Sequence, residues 1–451
     1  MSDTAVRPDA ASDSKATAAA QGHFNASFKA QPDAHLDALT ELRQQGWSAF
    51  SHKGLPTIRE EAWKYTDVRA IGRTDFSPAD SLVSISADDY ALPVKGWRLV
   101  FVDGVFDESQ SQLDGLPDGV KLAPLSREST LPDGFASLVD ASAGPFSALN
   151  LAFAGEGVSL EVARNVELDQ PIYLLFLSSA GNGSRMSHPR VVINLKDNAK
   201  ASVLEHFAGE NGAANFTNLV TEGMIARGAR LDHYKLNESA EKDLHVANMK
   251  VEQDADSHFK QHNLALGGSL VRNDIDTELN GEGAQTEYHG LFFVKGRAHV
   301  DNHTVVNHNV ARTFSNENYK GILNDRGRGV FNGRVYIKQD AQQVRGYQNN
   351  ANLLLSDKAE IDTKPELEIY ADDVLCSHGA STGQLDEEAV FALRARGIEE
   401  EQARALLTLA FAGEVLESTG IAAVSERVER LVAGMLPDRF DLTELVEFSE
   451  Q

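Results

Sequence analysis

One cysteine occurs in 451 residues, within the stretch "ADDVLCSHGASTG" at residues 371–383. A histidine follows it by two positions, and positions i and i+2 of a β-strand share a face. Cys376 and His378 would then lie about 6–7 Å apart at their Cα atoms. That spacing suits a thiolate–imidazole pair, or two ligands of one soft metal such as iron or zinc. It equally suits a small buried thiol with polar neighbours. Asp372 and Asp373 are adjacent and so face opposite sides of a strand, which argues against a carboxylate pair of the glycosidase kind.

The 14 histidines are the other source of metal chemistry. His206, His233, His258, His262, His289, His299, His303 and His308 fall in strand-like segments, where stacked strands could align some of them in a column. No HExxH and no paired CxxC accompanies them. The expectation is a solvated sheet face or an oligomer surface rather than a metal centre. Phosphate-cradling loops are absent, and "NDRGRGVFNGR" reads as turn chemistry between strands.

The elements that must position these residues change twice along the chain. From about His35 to Arg73 the pattern is helical. It places Leu36, Leu39, Leu42 and Trp47 near one face, with Gly54 and Pro56 as a stop. Residues to about 145 are mixed, with strand-like pieces such as "WRLVFVDGVF". From about 146 to 383 the period becomes two, and a motif recurs: a polar turn, a small residue, then a strand. The small residues are Ala199, Ala229, Ala255, Ala284, Ala298, Gly329, Ala341 and Ala359, the first four spaced by about 30 residues, within the range of solenoid repeats. Small corners, short strands and no intervening helix predict a stacked β-solenoid, in which each coil buries its face against its neighbours. After Gly383 the pattern is helical again, with Asp386 as N-cap, breaks at Gly397 and Gly420, and a last helix from Ser425 to before Pro437. The expected domains are a disordered leader (1–30), an N-terminal helical and mixed domain (31–145), a β-helix core (146–383) and a C-terminal helical domain (384–451). The helices are expected to close the two ends of the solenoid.

Composition narrows the function classes. A hydrophobic content of 42% is that of a folded chain, and 67 acidic against 42 basic side chains give a net charge of −25. Such a field disfavours nucleic acid and anionic membranes as partners. No apolar run reaches the roughly 20 residues that span a bilayer. The segment "MSDTAVRPDAASDSKATAAAQG" lacks the apolar core of a secretory signal, and one cysteine forms no internal disulfide. A cytoplasmic protein is the expectation.

The segment "YQNNANLLLSDKAEIDTKPELEIYADDVLCSHGASTGQLDEEAVFALRARGI" (Tyr347–Ile398) closely resembles the signature of the SufB/SufD family of iron–sulfur cluster assembly scaffolds. The single cysteine and "REEAWKYTDVR" (Arg59–Arg69) are similar to its SufD branch rather than to the cysteine-richer SufB branch. The resemblance implies a mainly β fold, a right-handed parallel β-helix flanked by N-terminal and C-terminal helical domains. It implies a non-catalytic scaffold that pairs with a SufB-like paralogue and docks SufC, an ABC-type ATPase in which the ATPase activity resides. By the same resemblance, His378, with Cys376 beside it, stands where a transient iron–sulfur cluster or iron would form at the SufB interface, none being held permanently by this chain. Four thiolates are usual for a cluster, so one Cys/His pair would be half of a site. The SufC-binding surface is expected between Leu385 and Gly420, at Asp386, Glu387, Phe391, Arg394, Arg396 and Ile398. Homodimer through the same edge and monomer are both open for the isolated chain, and the sequence carries no flavin motif. A SufB-type scaffold and a β-helix carbohydrate-active enzyme are the alternatives. The stretch Trp63–Thr66 is expected to pack the N-terminal helix.

Overall fold

The corner residues set the architecture. In a computed structural model, which describes residues 22–79, 81–181 and 183–436, the amide of each corner residue closes a turn on the carbonyl three positions earlier. Ala199 bonds Lys196, Ala229 bonds Ala226, Ala284 bonds Gly281, and Ala341 bonds Lys338. Ala199, Ala229, Ala284 and Ala341 are fully buried, because a corner packed against the coils above and below leaves no room beyond a methyl group. At two corners the small residue is displaced from its expected position by two. Ser257 takes the buried place rather than Ala255, and Gly327 closes the turn on Asn324 rather than Gly329. Many of these turns need a left-handed backbone. Asn198, Asp256 and Arg312 have φ of 58°, 57° and 60°, and Gly228 and Gly283 take the same place in theirs.

Between corners the chain runs in strands that alternate between two long sheets. The first holds, in order of stacking, Ile172–Ser178, Lys200–Gly209, Arg230–Asn237, His258–Ala265, Gln285–Val294, Phe314–Leu323, Val344–Leu354 and Val374–Gly383, all parallel. The second runs back to back with it and ends on Glu360–Ile369. The result is a β-solenoid of about eight coils. Strands from the mixed segment join both sheets: Trp97–Val102 and Val105–Gln112 extend the first, and Val120–Pro124 extends the second in antiparallel sense.

The interior changes character along its axis. The first coils are apolar, with Phe101, Phe176 and Phe207 stacked at centroid distances of 5.1 and 4.8 Å. Further along, inward positions carry polar side chains that satisfy one another: Lys235 Nζ donates to Asn273 Oδ1 at 2.6 Å, and Asn263 and Asn273 both donate to Asn302 Oδ1. Buried Glu205 accepts from Thr221 at 2.7 Å. Burial pushes Lys235 down to about 7, Glu205 and Asp274 opposing.

Among the described residues the helices cover the outer faces rather than the ends, which differs from the expected end caps. The C-terminal helices Glu400–Leu416 and Ala422–Met435 lay Ala405, Ala412, Val415, Val424, Val428 and Val432 on the outer face of the first sheet, against Leu236, Leu264, Leu291 and Ile322. The last helix thus starts at Ala422 rather than Ser425. Helix Asp37–Lys53, ending at Gly54 with φ 68°, belongs to the N-terminal unit over the second sheet. There Trp63 packs with Phe146, and its ring lies 3.8 Å from the Arg272 guanidinium. Arg272 also pairs with Asp301 and Asp274 at 2.7 and 2.8 Å. Of the expected leader, residues 22–30 are helical, with Phe24 fully buried and Phe28 stacked on Trp47 at 4.7 Å. Aromatic side chains in an Ala-rich segment are enough to dock it. Residues 1–21 of that leader, and 437–451 of the expected C-terminal domain, lie outside the described residues.

Candidate functional site

Cys376 and His378 sit on Val374–Gly383, the terminal strand of the first sheet. Its register pairs Cys376 with Gly346 and His378 with Gln348. Gly346 and Gln348 are buried inward positions, and parity in a parallel sheet passes from strand to strand. Both residues of the pair therefore face the lumen side at the mouth of the solenoid, where no further coil among the described residues covers them. His378 is exposed, and Cys376 is half-buried against Leu367, Val374 and the small cluster of Val335, Ile337 and Val344. Burial pushes the Cys376 thiol above its usual range, the backbone at Gly346 pulling the other way. A thiol held protonated in apolar surroundings is a poor nucleophile, and no hydrogen bond joins Cys376 to His378.

The rim opposite is Glu360–Ile369, paired on one side only. Ile361, Thr363, Pro365 and Leu367 align with the buried Phe331 and Val335 of the coil below and its glycines 329 and 333. Two ten-residue strands thus present open hydrogen-bonding edges around a partly apolar lumen. Leu375, Tyr370 and Ile369 beside them are 64%, 58% and 39% exposed. Such an edge is a template for another strand.

The expected C-terminal contact residues lie on and after the short helix Glu387–Arg394. Asp386 caps it, its carboxylate accepting from Glu388 N at 2.9 Å. Glu387 pairs with Arg404 at 2.8 Å and Arg394 with Glu400 at 3.1 Å, so these charges hold this helix to the next. Arg396 donates to Ala392 O within its own turn, Gly397 takes φ 92°, and Ile398 is half-buried. Phe391 stands out at 70% exposure. Among the described residues nothing covers this ring.

Among the described residues no group of three or more His, Cys, Asp or Glu side chains could hold an ion. Nor do most of the histidines lie on a solvated face: His206, His233, His262 and His308 are fully buried. Partial columns do form, with Tyr234, His262 and His289 stacked at 4.8 and 5.0 Å. They lie under the C-terminal helices, where His262 Nε2 meets Ser418 Oγ at 2.9 Å and burial pushes its pKa down to about 3. His206 bridges Tyr173 and Glu238, and His308 joins Thr313 and Ser315. His303 pairs with Asp301, and His299 with Thr66. These are structural histidines.

Sequence reasoning missed the residues directly beneath His378. Gln348 is 3% exposed, Glu317 is fully buried, and register aligns Glu317, Gln348 and His378 on successive strands. Thr304 donates to Glu317 Oε2. Burial pushes Glu317 up to about 7, the Thr304 and Gln348 side chains working against it. The polar run "YQNN" looked like an exposed strand, and only the register reveals that Gln348 turns inward.

Fold and rim together define a β-solenoid that ends, among the described residues, in two edge strands paired on one side only, with a Cys/His pair on one of them. Comparison with known proteins identifies it further. Residues 176–411 match the family described as "SUF system FeS cluster assembly, SufBD core domain", and residues 21–174 match the SufBD protein N-terminal region. The chain is 33% identical over 398 residues to the iron–sulfur cluster assembly protein SufD of Escherichia coli K12, covering 87% of this chain and 92% of that protein. A SufBD family protein of Synechocystis is 32% identical, over 88% of this chain and 90% of its own length. The chloroplastic protein ABCI7 of Arabidopsis thaliana is 27% identical, over 91% and 88%. The chain belongs to the SufBD family of iron–sulfur cluster assembly proteins.

Proposed function

We propose that this chain is the SufD-like scaffold subunit of a SUF assembly complex. Its open rim pairs edge to edge with the corresponding rim of a SufB-like paralogue, which completes the site begun by His378 and Cys376. A transient iron–sulfur cluster, or iron, is built there as cargo, with His378 as the ligand from this side and thiolates from the partner. Cys376, protonated and half-buried, supports the rim and is the lesser ligand. The segment from Asp386 to Ile398 docks a SufC-like ATPase through Phe391, flanked by Glu387, Arg394 and Arg396. ATP hydrolysis belongs to that partner, and the assembly works in the cytoplasm. No helix among the described residues is long and apolar enough to cross a membrane.

The observation that carries the proposal is the mouth of the solenoid: two ten-residue edge strands around a lumen that no helix among the described residues covers, with His378 and Cys376 on the inward parity. The test is co-expression of the tagged full chain with SufB-like and SufC-like subunits. Both are expected to co-purify, and Phe391→Asp is expected to lose the ATPase alone. His378→Ala is expected to keep the complex and to lower iron–sulfur enzyme activity in cells. A chain that stays partner-free, or a His378→Ala variant with full cluster supply, overturns the proposal.

A further inference from the structure

The lumen beneath the mouth contains an arrangement that packing alone does not require. Gln348 is buried, yet neither its Oε1 nor its Nε2 completes a hydrogen bond of good geometry. Leaving a buried amide unpaired is costly, so such a group calls for a partner beyond those it meets in this arrangement. Its surroundings are shaped to hold it. On the facing sheet Gly333 leaves a gap, because a Cβ there would come within 2.2 Å of Gln348 Nε2. From below, the Glu317 carboxyl lies beside the amide, itself fixed by Thr304. From above, the next residue in register is His378, one strand spacing away, about 4.8 Å. Thr363, the neighbouring inward residue on the facing rim, is already committed to Asn350 Oδ1 at 2.8 Å. Pro365, aligned with Gly333, offers no N–H.

We infer that Gln348, backed by Glu317 and Thr304, is a positioning residue for His378: its amide oxygen accepts one ring N–H of the imidazole and leaves the other nitrogen's lone pair aimed out of the mouth. The inference rests on the proposed role of His378 and assigns how that role is prepared. A histidine that binds a metal ordinarily donates its second nitrogen to a neighbouring acceptor, which fixes tautomer and ring orientation. Here the acceptor is an amide rather than a carboxylate, so the imidazole is oriented without an added charge. Glu317, in register on the strand below, is the acceptor the inference assigns to Nε2, which leaves Oε1 for the imidazole above. Gly333 is part of the device, since any side chain there would displace the amide.

The experiment uses the full chain with ring-15N-labelled histidine, the His378 signals being assigned by their loss in His378→Ala. In the wild type, loaded with Zn2+ as a diamagnetic probe, one ring nitrogen of His378 is expected to remain an N–H donor in a single tautomer. In Gln348→Leu, of similar volume, the fixed tautomer is expected to be lost, and iron–sulfur enzyme activity in cells to fall about ten-fold or more, as for other outer partners of metal-bound histidines. Gln348→Asn keeps the amide one methylene short and gives the same two readouts should the leucine variant not fold. A Gln348→Leu or Gln348→Asn chain that folds with the His378 tautomer unchanged overturns the inference. If His378→Ala lowers cluster supply and these variants do not, the role of His378 stands and the positioning role falls. If His378→Ala itself has no effect, the reading of the site falls first.

Discussion

Burying a carboxyl group inside a solenoid ties the stability of that coil to pH, and Glu317→Gln isolates the effect. Glu317 is fully buried, and burial outweighs the help of Thr304 and Gln348, raising its pKa from 4.5 to about 7. A raised carboxyl pKa means that the folded chain binds more protons than the unfolded one between those values. The contribution to stability is therefore complete below about pH 4.5 and is lost as pH rises towards 7 and beyond. At about 1.4 kcal/mol per pH unit, the rise from 4.5 to about 7 implies a total loss of ~3 kcal/mol, most of which falls between pH 5 and pH 8. Glutamine keeps the volume and can still accept from Thr304, but it does not ionise. Denaturant unfolding of wild type and variant at several pH values measures the difference directly, because other titrating groups cancel in it. Glu317→Gln is expected to be the more stable chain at pH 8 by ~2–3 kcal/mol, and the advantage is expected to shrink steadily toward pH 5. Parallel wild-type and variant curves across that range would refute the reasoning, since they would mean that the carboxyl reaches water in the folded chain.

Two further expectations concern packing. Trp63→Ala removes a buried ring and its cation–π contact with Arg272 at 3.8 Å. A loss of about 3–5 kcal/mol is expected, read as a lower thermal midpoint and faster proteolysis between residues 22 and 79. Gly333→Ala forces a methyl group to within 2.2 Å of Gln348 Nε2, and a loss of about 1–3 kcal/mol is expected, measured by denaturant unfolding. An alanine tolerated at no cost would mean that the Gln348 amide swings freely.

The solenoid was legible in the sequence because its corners demand small residues and left-handed turns, and both leave a mark wherever they occur. The mouth was legible because it holds the only cysteine. What could not be read was which face of a strand points inward. A lumen that carries Lys235, Asn263, Asn273 and Glu317 defeats the rule that polar residues alternate outward, since both faces are then partly polar. For the same reason the histidines read as solvated, although His206 and His262 lie beneath the C-terminal helices with every exposed surface covered. Where the helices pack was equally hidden: nothing local in "ALLTLAFAGEVL" says whether its apolar stripe closes an end or covers a face. That choice is made by Leu236, Leu264, Leu291 and Ile322 on four different coils, brought together only by the stacking.

The two ends of the stack are unlike. At the beginning, Val105–Gln112 turns back antiparallel with a register irregularity between Arg98 and Val100, and Val120–Pro124 is only five residues long. At the finish both rims are ten residues long, and each pairs in parallel with the coil before it. On the proposed rim-to-rim pairing, each partner's regular end is taken up by the other, and the irregular end offers no matching ten-residue parallel edge. In the language of polymer chemistry the proposed pairing is a termination step: it joins two subunits and leaves no regular end from which a filament would grow.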